Sequence, residues 1–323
     1  MLFRSPSASA ASPLKLLAQT RRHALLAQLL RVPSIVFAIN KLDASPDPAQ
    51  AFDAVRTALL AFAAEAKIEV AAIVPVSALR GDNVTQQPVA AGAAQAAWAG
   101  WYSGPSLLQV LERLPTSQER KVGDLMIPVQ YVAHPAREGS DGTGDQARTL
   151  WGRIAHGRVQ AGDEVQIFPS RQKAIVAEVR VAGEWVEFAE AGESAGLSLD
   201  RQLDVSRGDW IATPDTIYEA SRFNATLAWL DTEPAVVGRK YVVRHGNRWV
   251  QARIAAIESR LDINSLQTAD AHELAVNEIG RVVIETQQPL PVEPFASNRV
   301  GGSLIIVDPT SNRTSGALLV QSA

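Results

Sequence analysis

The stretch "VPSIVFAINKLDASPDP", residues 32 to 48, decides how the first third of the chain is read. Its run "SIVFAI" is short, β-branched and apolar at successive positions, so it fits a strand covered on both faces inside a parallel sheet. The run stops at Asn40-Lys41-Leu42-Asp43, an amide and an acid at the tip of a buried strand. In open parallel sheets ligands bind beyond the carboxyl ends of the strands, which is where these residues fall. The competing reading makes "NKLD" an ordinary N-cap turn for the following helix.

Upstream of this stretch, apolar residues from Leu14 to Leu30 recur at helical spacing, and the helix is expected to stop before Pro33. Downstream, the Ala-rich segment Ala49 to Lys67 carries Phe52, Val55, Leu59 and Phe62 on one stripe, which predicts an amphipathic helix. "VAAIVPVSAL" then supplies a second buried strand ending at Ser77-Ala78-Leu79. Strand, helix and strand make one right-handed crossover unit. Arg80 to Gly104 is polar and then Ala/Gly-rich, a long loop. A short helix over Ser106 to Leu114 follows, and "PTSQERKVG" has the polarity of a linker.

Past residue 122 the hydrophobic period changes to two. "LMIPVQYVA", "LWGRIAHGRV", "DEVQIFP", "AIVAEVRV" and "GLSLD", separated by Gly- and Asp-containing turns, predict a small antiparallel barrel ending near "RGDWIATPD". A second all-β set runs from "FNATLAWLD" through "KYVVRHG", "RWVQARIAAIES" and "EIGRVVIETQQPL" to "GGSLIIVDP". The spacing favours two consecutive barrels, and one large sandwich is the alternative. Trp151, Trp185, Trp210, Trp229 and Trp249 are expected in barrel cores or between barrels.

The length of 323 residues calls for two or three domains. The net charge of -3 argues against a dedicated nucleic-acid binder with a broad basic face. Charge is uneven, because residues 1 to 41 hold Arg4, Lys15, Arg21, Arg22, Arg31 and Lys41 and no acid. Such a basic, Ser-rich start could imitate a transit peptide. There is no Cys, which removes disulfides and thiolate metal sites. His23, His134, His156, His245 and His272 lack metal-ligand spacing. No apolar run approaches the ~20 residues needed to cross a bilayer, and a cytoplasmic protein without membrane contact is expected.

The two strand tips carry the chemistry. Asn40 suits the O6/N7 edge of guanine, and the Asp43 carboxylate suits N1-H together with the exocyclic amine, two donors adenine does not present together. Lys41 would lay its aliphatic stem along the base. Ser77 and Ala78 complete the pocket, with the Ala78 N-H expected to face O6 and Leu79 closing the set. "GDNV", Gly81 to Val84, reads as a polar turn next to this pocket.

With "NKLD" and "PVSALRGDNV" in place, the chain resembles a translation-factor-type GTPase, and more closely the GTP-binding large subunit of bacterial sulfate adenylyltransferase. "QTRRHALLAQLL", "WYSGPSLLQVLE", "RGDW", "LAWLDTEP", "HELAVNEIGRVVIETQQPLP" and "GGSLIIVD" carry the likeness over residues 17 to 320. The resemblance implies an unmatched segment 1–16, part of a P-loop GTPase domain over 17–115, and two antiparallel β-barrels over 122–215 and 222–323. It implies GTP with magnesium, guanine contacts from Asn40, Lys41, Asp43, Ser77, Ala78 and Leu79, and a heterodimer with a small adenylyl-transferring subunit. In that family GTP hydrolysis drives the joining of sulfate to ATP as adenylyl sulfate with release of pyrophosphate. A non-catalytic interaction scaffold and a tRNA-binding translation factor are the alternatives.

The chain departs from that family at the phosphates. A GTPase holds them in a GxxxxGK[ST] loop. None of Lys15, Lys41, Lys67, Lys121, Lys173 and Lys240 follows a Gly, so no such loop is encoded. The DxxG switch is absent from the N-terminal region, and "DGTG" at Asp141 to Gly144 falls in a hairpin of the first barrel. The expectation is a chain lacking the first half of its GTPase domain and not competent for hydrolysis as given. A choice of start, a frame error or a truncated gene would each produce it.

Overall fold

The computed structural model describes residues 14–87, 100–115, 123–134 and 148–322. "DGTG", most of the linker at 115–123 and the Ala/Gly-rich stretch 88–99 lie outside the described residues. The chain divides into two compact units, Met1–Ser117 with Asp262–Gln267, and Gln118–Leu261 with Thr268–Ala323.

In the first unit helix α1 (Ala18–Leu29) leads to strand β1 (Ile35–Asn40), helix α2 (Pro48–Glu65), strand β2 (Val70–Val76) and helix α3 (Leu107–Arg113). β1 and β2 pair in parallel, with Ala38 opposite Val74 and Asn40 opposite Val76. Side chains alternate across a strand. Val36, Ala38, Val74 and Val76 accordingly join Val110 and Leu107 of α3 in one core. Phe37 and Ile39 are buried as the alternate residues of β1. The stripe Phe52, Val55, Leu59 and Phe62 of α2 is buried as its spacing required, and α2 contacts β2. Each such side chain contributes roughly 1.5–3 kcal/mol of transfer free energy. Asp47 caps α2 by accepting from Gln50 N-H at 3.0 Å, with Pro48 preset at the first helical position. Ser106 and Gln109 form a reciprocal capping box on α3.

The second unit is β-rich. Its first sheet runs in the order Met126–Pro128, Trp210–Ala212, Glu164–Phe168, Lys173–Val181, Ser194–Leu199, Thr149–Arg153 and Tyr131–Ala133. Met126–Pro128 and Tyr131–Ala133 are neighbours in the chain, so one segment pairs at both ends of that order and the sheet returns on itself. Ile127, Leu150, Val165, Ile167, Val179, Leu197 and Ile211 fill its interior. Gly152 permits the close crossing there, because a Cβ would collide with the Pro128 carbonyl.

The second sheet closes outright. Lys240–His245, Ser303–Val307, Thr314–Ser322, Glu219–Trp229, Ile279–Pro291 and Arg248–Leu261 follow one another, and Arg248–Leu261 pairs back onto Lys240–His245. Closure removes the exposed edges that make open sheets prone to association. Trp229 packs edge-on to Tyr241 with centroids 5.7 Å apart, among Phe223, Leu227, Ile254, Ile284 and Leu318. The two barrels meet at Trp210, whose ring stacks on His245 at 4.7 Å. His245 is fully buried, its Nε2 lies 3.0 Å from the Gly301 carbonyl, and burial pushes its pKa down to about 4.

The tryptophans divide. Trp210 and Trp229 are core residues as expected, whereas Trp185 and Trp249 are 53% and 54% exposed. Both lie on outward faces of hairpins beneath arginines, Arg180 at 3.8 Å and Arg244 at 5.5 Å from the ring centres. An indole there keeps a cation over its face while its edge stays in water. No described helix is long and apolar enough to cross a membrane.

Candidate functional site

The parallel register of β1 and β2 puts Asn40 level with Val76, one residue before Ser77. The strand tips are then tied together, because Ala78 N-H donates to Asn40 Oδ1 at 2.9 Å. The bond corrects one expectation, since that N-H is engaged by Asn40 instead of standing free. It also fixes the amide orientation. With the oxygen occupied, the Asn40 Nδ2 group is left as the donor, on a side chain only 8% exposed.

Lys41 takes a left-handed conformation at φ 67° and is exposed, which turns the chain sharply. Leu42 drops into the core behind it, and a single 3-10 turn, Leu42–Ala44, carries Asp43. The Asp43 side chain is 15% exposed, with Oδ2 3.9 Å from Arg80 Nε. Asp43 is not the helix cap, since Asp47 holds that role. The N-cap reading of "NKLD" therefore fails on geometry, and Asp43 is available for other work.

After β2 the chain closes a tight loop. Ser77 N-H donates to the Asp82 carbonyl at 3.1 Å, Gly81 N-H donates to the Ser77 carbonyl at 2.8 Å, and Arg80 N-H donates to Ser77 Oγ at 3.2 Å. Ser77 is buried and built into the loop, whereas Leu79 is 89% exposed and projects from it. The structure thus brings Asn40, Asp43, Ser77 and Ala78 to one end of the sheet, with Lys41 and Leu79 on its rim. Two further residues belong there. Arg80 faces Asp43, and the buried Asn83 donates from Nδ2 to the Pro75 carbonyl at 2.8 Å while its backbone carbonyl accepts from Leu107 N-H at 3.0 Å. Asn83 so fastens the β2 tip to α3. In the sequence Asn83 lies in the polar turn "GDNV" and Arg80 directly before it. Among the described residues no group of three or more His, Cys, Asp or Glu could hold a metal ion.

An amide donor and a carboxylate acceptor at adjacent strand tips, backed by a short polar loop, suit a planar heterocycle with an acceptor edge and adjacent donors.

Residues 12–117 match the family model described as the elongation factor Tu GTP binding domain, and residues 222–321 match that of the GTP-eEF1A C-terminal domain-like family. The chain is 34% identical over 308 residues to a protein of Laribacter hongkongensis named sulfate adenylyltransferase subunit 1, covering 94% of this chain and 60% of that protein. It is 37% identical over 309 residues to a bifunctional enzyme CysN/CysC of Mycobacterium tuberculosis, covering 94% and 48%. It therefore spans about half to three fifths of the length of these relatives. A solved structure of Sup35 complexed with GDP aligns with a TM-score of 0.56 at 21% identity, over 94% of this chain and 72% of that one. That likeness supports the fold, an α/β part of GTPase type followed by antiparallel barrels. The chain thus carries two segments that match domains of translation-factor-type GTPases, and its relatives over 94% of its length include proteins named sulfate adenylyltransferase subunit 1.

Proposed function

We propose that this chain is the GTP-binding regulatory subunit of a two-subunit sulfate adenylyltransferase of sulfate assimilation in the cytoplasm. Its α/β part, residues 17–115, reads guanine, and barrels over 122–215 and 222–323 engage a small subunit that carries adenylyl transfer. In the reaction proposed, sulfate attacks the α-phosphorus of ATP, adenylyl sulfate forms and pyrophosphate leaves, while GTP hydrolysis drives the equilibrium.

The Ala78 N-H to Asn40 Oδ1 bond carries the base-reading half of this proposal, because it leaves Nδ2 free to donate to guanine N7. Asp43 accepts from N1-H and the 2-amino group, Lys41 covers one face of the base, and the Ser77–Asp82 loop frames O6. Arg80 Nε lies 3.9 Å from the Asp43 carboxylate. None of the 323 residues forms a GxxxxGK[ST] loop, so the residues present fit the base and not the phosphates or their magnesium. No phosphoryl step is assigned to them. The second reading is a non-catalytic scaffold that works through the barrels and a partner surface.

The subunit reading is tested by mixing the 323-residue chain with the second sulfate adenylyltransferase subunit of the same organism and measuring the mass of the complex by light scattering. A stoichiometric heterodimer is expected. Two components that elute apart at micromolar concentration would sink the reading.

A further inference from the structure

Away from the strand tips, a cationic patch forms where the first barrel's turn over residues 206–209 meets the hairpin of Lys240–His245 and Arg248–Leu261. A Cβ on Gly208 would stand 3.0 Å from the Asn247 carbonyl, so turn and hairpin tip are in close contact. Arg207 Nη2 and Arg244 Nη2 both donate to Asn247 Oδ1, at 3.3 and 3.1 Å, and Arg244 Nε donates to the Gly246 carbonyl at 3.0 Å. Neither guanidinium has a carboxylate within ion-pair distance among the described residues. Arg248 does, with Asp209 at 3.4 Å, and it also donates to Gln288. Trp249 pairs directly across the hairpin from Arg244 and is more than half exposed.

Asn247 is a neutral acceptor, so it holds two arginine forks in place without cancelling their charge. Fixed forks lose less side-chain freedom on meeting a carboxylate, and they match its geometry with two parallel bonds. Arginine beside an exposed tryptophan is also the composition of binding hot spots. A nucleic acid would call for a basic stripe along its backbone, whereas this patch is confined to one turn and one hairpin tip on a chain of net charge -3. Relatives named as a numbered subunit point to a protein partner.

We propose that Arg207, Arg244 and Trp249 form the docking surface for an acidic segment of the second subunit, with carboxylates in the two forks and an aliphatic or proline side chain on the indole. The proposal rests on the two-subunit reading above. Its test is surface-based binding of the 323-residue chain to that second subunit across a salt series. Arg207→Glu with Arg244→Glu, and separately Trp249→Ala, are each expected to weaken binding by about tenfold or more. Wild-type affinity should fall as salt rises, and the double variant should lose that dependence. Arg207→Lys with Arg244→Lys should keep the salt dependence while losing part of the affinity. Thermal melts check folding, which these surface changes should leave intact. Variants that bind as tightly as wild type would overturn the docking surface alone. A wild-type chain that binds no second subunit would overturn both proposals. Patch-dependent capture of a single-stranded RNA oligonucleotide in place of the protein would overturn the assignment to an acidic segment.

Discussion

Replacing Asp43 by Asn tests the base-reading role with little effect on the fold. The side chain is 15% exposed, makes no cap, and approaches one cation, Arg80, at 3.9 Å on a half-exposed side chain. A pair that long and that wet contributes between about 0 and 1 kcal/mol, so the melting temperature should barely move. Binding is different. Two carboxylate oxygens would accept from two guanine donors, and the amide turns one acceptor into a donor facing a donor. The loss is about 1–3 kcal/mol, a factor of about 5 to 150 in affinity. Xanthine carries a carbonyl where guanine has its amine, so the same change should favour it. A base-only site binds at about 1 mM. The assay is therefore ligand-observed NMR competition between guanosine and xanthosine triphosphates on wild type and variant. Preference should move toward xanthine. An unchanged ratio, with folding intact, would remove Asp43 from the base-reading set.

Four further outcomes are expected. Asn40→Ala deletes the acceptor of Ala78 N-H and should cost about 1 kcal/mol in chemical denaturation together with guanine selectivity, whereas Leu59→Ala, at a fully buried position, should cost about 2–5 kcal/mol. His245 is held neutral by burial, with its pKa lowered from 6.5 to about 4. The unfolded chain therefore binds a proton that the folded one refuses. This term is absent above pH ~6.5 and removes stability as pH falls from there toward ~4, by about 3 kcal/mol. Denaturation against pH should show that slope in wild type and lose most of it in His245→Phe. Hydrogen exchange should find β1 and β2, a two-stranded sheet among the described residues, less protected than the closed second barrel.

Much of this architecture was legible because the signals were local. The stripe Phe52, Val55, Leu59 and Phe62 and the apolar run before Asn40 fix helix and strand by period alone, and the separation of "NKLD" from "SAL" anticipated Asn40 beside Ala78. The direction of that bond was not legible, since it depends on the loop that Ser77 and Asp82 close. The helix cap lay in "SPDP" and not "NKLD", and Asp47 followed by Pro48 was the signal. Trp185 and Trp249 were assigned inward because a strand's inward face depends on register, and one residue of slip reverses it. Arg80 and Asn83 needed the folded turn to reveal whom they face.

The most direct measurement of the central claim is a residue-resolved NMR titration of the isotopically labelled 323-residue chain with guanosine triphosphate, and with adenosine triphosphate at equal concentration. The account predicts that the Ala78 amide and the Asn40 side-chain NH2 shift with the guanine nucleotide and stay in place with adenine. Equal shifts with both bases, or shifts confined to residues away from Asn40, Asp43 and Ala78, would contradict it.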